Sequence, residues 1–203
     1  MRTDNAGVGI PMLPRLSRKA SSMKKTSGFS LIELLVVIGI ILTIAAIAVP
    51  RFLRTKLSAN EVSAANSLRV MASANANYHS RFNRGYAGTL AQLGPSNGSC
   101  PSVGSDCADL LDTLLSGISP AAATPIKSGY RFTYYAPSAM PSPASPNNTY
   151  AVVGTPVIPN NTGVRTFCVD QHSVVLRDTS GALTTATAAG CNWAIGGTVA
   201  PIE

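Results

Sequence analysis

The chain has 203 residues, 45% apolar and 12% charged, which fits neither a disordered chain nor a polytopic membrane protein and leaves room for one domain plus an appendage. The net charge of +7 is unevenly spread: residues 1–28 hold Arg2, Arg15, Arg18, Lys19, Lys24 and Lys25 against Asp4 alone. With +5 in that head, the body lacks the basic footprint of a sequence-specific DNA-binding protein, and the charge reads as a targeting signal.

Phe29 opens an apolar run to Val49 that only Ser30, Glu33, Gly39 and Thr43 interrupt. At ~1.5 Å per residue its ~21 residues cover ~30 Å, enough for one membrane crossing. The six cations before it predict a cytoplasmic N-terminus, outweighing Arg51, Arg54 and Lys56 behind it. A removable secretory signal cut after Ala46-Ile47-Ala48 is the competing reading, but the run is longer than such signals use and Pro50 follows the cut.

Glu33 decides between them. A carboxylate near the edge of the hydrocarbon costs ~2 to 3 kcal/mol unless it finds a cation, and the run contains none. Cutting after Gly28 creates one, the α-amino group of Phe29, one helical turn from Glu33. That amine can meet Glu33 of its own chain or of a staggered neighbour, and the second pairing sets the register of an assembly.

The order Lys24-Lys25-Thr26-Ser27-Gly28-Phe29-Ser30-Leu31-Ile32-Glu33, continued by the apolar run, resembles the prepilin cleavage and methylation motif of type IV pilins and of the related type II secretion pseudopilins. The resemblance covers roughly residues 24–50. It implies a membrane-embedded prepilin peptidase cutting between Gly28 and Phe29 and methylating the new amine, with Glu33 serving assembly. It also implies export by assembly machinery of the inner membrane, residence in lipid as a single-pass protein, and final placement in a homo-oligomeric filament, either an extracellular pilus or a periplasmic pseudopilus. Pro50 stands where many pilins interrupt the helix, and removes one backbone hydrogen bond there, which predicts a bend. Met23-Lys24-Lys25 would itself serve as a short leader, so residues 1–22, which show no helical period, read as an over-extended start expected to be unstructured.

Beyond Pro50 the sequence is Ala-rich without Gly or Pro, and Leu53, Leu57, Ala64, Leu68, Met71, Tyr78 and Phe82 recur at helical intervals. Asn60-Glu61, Ser67-Leu68-Arg69 and Tyr78 are similar to the corresponding pilin helix. Residues 85–95 predict a turn and a short helix capped by Thr89 and stopped by Gly94-Pro95. Residues 106–116 predict a second short helix with Leu110, Leu111, Leu114 and Leu115 inward; Asp106, Asp109 and Asp112 on it suit a solvent-facing helix start better than calcium. From Gly129 the period changes to two, giving three or four antiparallel strands over 130–135, 150–154, 165–169 and 174–177, with a hairpin connection at 170–173 and a surface loop over 137–148.

The fold class expected is α+β, a long N-terminal helix packed against a small antiparallel sheet, pilin-like. The divisions are a removed leader (1–28), a long helix (29–84) with its span at 29–49, and a head (85–203). Four cysteines in an exported chain suggest two disulfides with three possible connectivities. The favoured pairs are Cys100 with Cys107 and Cys168 with Cys191, the second resembling the C-terminal staple of family pilins. Closing loops of about 8 and 24 residues is worth about 2.5 and 3.5 kcal/mol.

No zinc spacing, hydrolase, Walker or dinucleotide motif occurs, and His79 and His172 suit packing or surface roles, so no enzyme, cofactor or metal is expected. The sequons at Asn97, Asn147 and Asn160 read as loop composition. The tail after residue 178 lacks the acidic calcium loop of the major pseudopilin and has Cys168 and Cys191 flanking it, which favours the pilin. A single-pass anchored binding or enzymatic domain is the rival from another class. Nucleic acid is not an expected partner, although DNA uptake by the filament is compatible with the reading.

Overall fold

A computed structural model describes residues 28–95, 99–117 and 124–202. The leader over 1–27, including the suggested start at Met23, lies outside the described residues, as does the sequon at Asn97. Two compact units divide the chain, Met1–Ile44 and Ala45–Glu203, and the first helix contributes to both.

Helix α1 is Leu31–Phe82 and stays helical through Pro50. Its C-terminal stop comes from Asn83, whose φ of 48° lies in the left-handed region, where Asn is tolerated better than most residues. Within the second unit, burial on α1 begins at Glu61 and continues through Ala64, Ala65, Leu68, Met71, Ala72, Asn75 and Tyr78, a three- and four-residue rhythm that presents one face. Leu53, expected on that stripe, remains exposed, and Leu57 and Phe82 are only half-buried. The sheet covers only the later turns.

Six strands form that sheet: β1 Ile126–Lys127, β2 Tyr130–Tyr135, β3 Ala151–Pro156, β4 Thr166–Asp170, β5 Leu176–Asp178 and β6 Val199–Pro201. They pair antiparallel in sequence order, a meander in which Phe132 faces Gly154 and Val153 faces Cys168. The alternation of side chains gives each face its own core. Tyr130, Phe132, Val152, Phe167 and Val169 join the α1 stripe, whereas Ala151, Val153, Cys168 and Leu176 meet Cys191, Trp193 and Val199 on the other side. The sheet is therefore sandwiched, with α1 on one face and the C-terminal loop on the other.

Two strands exceed the expected three or four. β1 and β6 are two and three residues long, too short to carry a period. β5 begins at Leu176 rather than at Val174, because the turn after β4 takes up the intervening residues: Ser173 has a φ of 60° and its amide donates to the Asp170 carbonyl.

The short helix α2, Leu90–Leu93, sits where expected and is followed by Gly94, but the Thr89 side chain makes no cap bond. Gln92 Oε1 instead accepts from the Gly88 amide at 2.7 Å. The second expected helix, over 106–116, is absent. Asp109 has a φ of 54°, which a right-handed helix cannot contain, and the amides of Ala108 and Leu110 donate to carbonyls of Gln92 and Leu93 instead of to their own chain's preceding turn. Leu111 and Leu115 still point inward, Leu110 is half-buried and Leu114 is exposed.

Candidate processing and assembly segment

The segment begins at Gly28 and Phe29, both exposed; no atom comes within 4 Å of a side chain placed on Gly28. Such exposure suits a bond that a peptidase must reach. Helix α1 starts at Leu31, with the Ser30 carbonyl accepting from the Leu34 amide at 3.1 Å. Glu33 lies in the first turn. Ser30-Leu31-Ile32-Glu33 also has the S-x-x-E spacing of a helix start, and an acid there complements the helix dipole. That placement recovers only about 0.3 to 1 kcal/mol, against the ~2 to 3 kcal/mol cost of a carboxylate in lipid. A cation is still required.

From Leu31 to Val49 the large apolar side chains are exposed, Leu31 at 81% and Leu42 at 67%. None of the most apolar 18-residue stretch of α1 is buried within the chain. Its polar groups are handled locally: the Thr43 hydroxyl donates to the Gly39 carbonyl at 2.8 Å, the intrahelical bond that lets a threonine sit in hydrocarbon. Among the described residues nothing covers this surface, and its length and apolar character suit lipid or other apolar helices. Pro50 lies inside α1, one position past this run.

Residues of the head hold α1 to the sheet. Glu61 is buried and accepts from the amides of Val164 (2.9 Å) and Arg165 (3.2 Å) and from the Arg165 guanidinium (3.0 Å). Beside it, Asn60 Nδ2 donates to the Thr162 carbonyl at 2.8 Å. Asn60-Glu61 is visible in the sequence as a polar break in an Ala-rich helix; its partners, about a hundred residues away, are not.

Both favoured disulfides form, Cys100–Cys107 and Cys168–Cys191, with Cα separations of 5.7 and 5.9 Å. The second ties β4 to the loop that covers the far side of the sheet. Three polar side chains have roles that were not legible in the sequence, the buried Asn147 and Asp178 and the half-buried Tyr134. Asn147 joins the ends of the 137–148 loop, accepting from the Ser138 amide and donating to the Ser138 and Ala87 carbonyls. It is fully buried, so a glycan there is sterically excluded, whereas Asn160 is exposed. Asp178 is buried and accepts from Ser180, Ala182 and Leu183. Burial pushes its pKa up, but the Ser180 hydroxyl and the Leu183 amide outweigh burial and hold it below the usual carboxylate range. Tyr134, whose hydroxyl lies 2.8 Å from both Asn75 Oδ1 and the Ala87 carbonyl, has its pKa raised, mainly by burial. An Asp opening a Thr-Ser-Gly turn was the available sign for Asp178.

His79 packs its ring 4.9 Å from Tyr86, and His172 is exposed in its turn. Asp106, Asp109 and Asp112 are exposed, and among the described residues no group of three or more His, Cys, Asp or Glu gathers as a metal site would.

Residues 23–49 match the family model of the prokaryotic N-terminal methylation motif. No curated protein and no solved structure matches the chain. The match, together with the long apolar helix, is consistent with a type IV pilin-like protein. The motif supports the pilin or pseudopilin class, implies processing by a prepilin peptidase, and with the apolar helix supports anchoring in a membrane before assembly.

Proposed function

We propose that the chain is a non-catalytic structural subunit, cut between Gly28 and Phe29, N-methylated, and built into a type IV pilus filament through its apolar helix. The observation that carries the reading is Glu33, the one carboxylate in a 31–49 surface that is otherwise apolar and uncovered. Polymerisation gives that surface apolar neighbours and gives the acid a neighbour's Phe29 amine, so filament formation relieves two costs at once. The secretion pseudopilus is the second reading. The Cys168–Cys191 bond, which fixes the C-terminal loop over the sheet, favours the pilus.

The test is Glu33→Leu in the full chain, with mass spectrometry of the mature N-terminus and recovery of sheared surface filaments. Expected is a methylated Phe29 in wild type and variant alike, with filaments lost only in the variant. An uncut chain, an N-terminus at Val49, or filaments undiminished by Glu33→Leu overturns the proposal. Filaments confined to the periplasm select the pseudopilus.

A further inference from the structure

We infer that the head carries a head-to-tail docking site, in which an arginine-lined cavity beside the membrane-proximal part of α1 receives the acidic loop at 106–112 of a second copy. The inference rests on the filament reading and deepens it by naming contacts outside the apolar helix.

The cavity, about 240 Å³, opens between α1 and strands β4 and β5 and is lined by Arg69, Arg165, Phe167 and Arg177. It adjoins a second hollow lined by Arg54 and Arg165, and Glu61 borders both. Glu61 offsets one charge of this cluster, that of Arg165, which it pairs at 3.0 Å, so the positive side of the contact is assigned to Arg54 and Arg177. Arg177 Nε is buried without a hydrogen-bond partner. A buried donor of this kind is unfavourable until an acceptor arrives, and a cavity of this size admits a carboxylate side chain.

The same chain offers the complementary charge. Asp106, Asp109 and Asp112 are exposed on one loop, and among the described residues the one ion pair they make is Asp112 with Lys127, at a loose 3.8 Å. That loop is anchored by the Tyr78 hydroxyl, which donates to the Ser105 carbonyl at 2.8 Å. From Glu61 at the cavity to Tyr78 at the loop, α1 rises about 26 Å. Cation and anion therefore lie at different heights on one helix, a spacing that a single chain cannot close but an axially shifted copy can. Such a contact uses two different patches and does not close on itself, so it propagates an open helical polymer.

The experiment compares sheared filament yield for the full chain carrying Arg54→Glu with Arg177→Glu, Asp106→Lys with Asp109→Asn, or all four together. Asn keeps the left-handed backbone of residue 109 accessible. Each pair is expected to lower yield about tenfold through like-charge apposition, and the fourfold variant to recover most of it. Arg54→Glu alone, at an exposed position, repeats the test without touching the sheet, and non-reducing gels report closure of both disulfides in every variant. Wild-type yield from either pair, or a fourfold variant no better than the pairs with its disulfides closed, overturns the inference. Loss confined to the arginine variants does so too, assigning the cavity to another anion such as a lipid headgroup. Wild-type filaments that depend on Glu33 in the same cells leave the parent reading standing in each case; a wild type without filaments removes both.

Discussion

Replacing Glu61 separates the three roles of its carboxylate. In Glu61→Leu the amides of Val164 and Arg165 lose their acceptor in a buried position, and the Arg165 guanidinium loses its partner. Two stranded donors at about 1 to 3 kcal/mol each, offset by added apolar burial, put the loss near 3 kcal/mol. The guanidinium adds little, because the Arg165 side chain is 44% exposed and water screens the pair. Glu61→Gln keeps an oxygen for both amides but loses the charge and the acceptor for the half-exposed Arg165 guanidinium, so its loss is about 1 kcal/mol. Thermal unfolding of the full chain in detergent reads this as a fall of about 6 to 12 °C for Leu and about 2 to 4 °C for Gln. Equal falls for the two variants refute the assignment of Glu61 to the backbone of the strand lead-in, and a neutral Glu61→Leu refutes its burial as a clamp.

Opening the staple with Cys168→Ala and Cys191→Ala costs about 3.5 kcal/mol by chain entropy, and the sign to follow is Trp193 fluorescence shifting toward that of a wetted indole. Gly163→Ala sets a methyl on the Tyr130 hydroxyl, which donates to the Arg165 carbonyl; a destabilisation of about 1 to 3 kcal/mol is expected in urea unfolding, and Tyr130→Phe in the same chain returns part of it. Stability also falls at both ends of the pH scale. The Tyr130, Tyr134 and Tyr150 hydroxyls are pushed above 10.0, chiefly by burial, so the folded chain holds protons that the unfolded chain releases, and stability drops as pH rises past 10.0. Asp178, held below 3.8, works in the opposite sense: its contribution is complete above that value and is lost as pH falls beneath it, a slope that Asp178→Asn removes in acid unfolding curves.

The parts legible in the sequence were those with many residues repeating one physical demand. The apolar run and the Ala-rich helix declared themselves by length, β2 by its alternation, and β3 and β4 by short runs of β-branched and aromatic residues. The 106–116 segment misled because its leucines recur at helical spacing, while the signals against a helix were tertiary: carbonyls of α2 waiting for its amides and a left-handed Asp109. β6 offered only Val199, Ala200 and Pro201 among Gly and Thr, and its strand identity comes from β5 alongside. The cleavage motif was plain because residues adjacent in the sequence carry it; the arginine cavity was not, because Arg54 and Arg69 come from one stretch and Arg165 and Arg177 from another about a hundred residues on.

The panel behind the sheet has a bearing on timing. Cys191, Trp193 and β6 follow β3, β4 and β5 in the chain, and they complete the dry side of strands made earlier. Until they dock, Ala151, Val153 and Cys168 face water, and the thiol of Cys168 is open to oxidants. A chain in which this stretch has not docked keeps an apolar, half-finished back on its sheet, so closing Cys168–Cys191 acts as the latch that seals the panel.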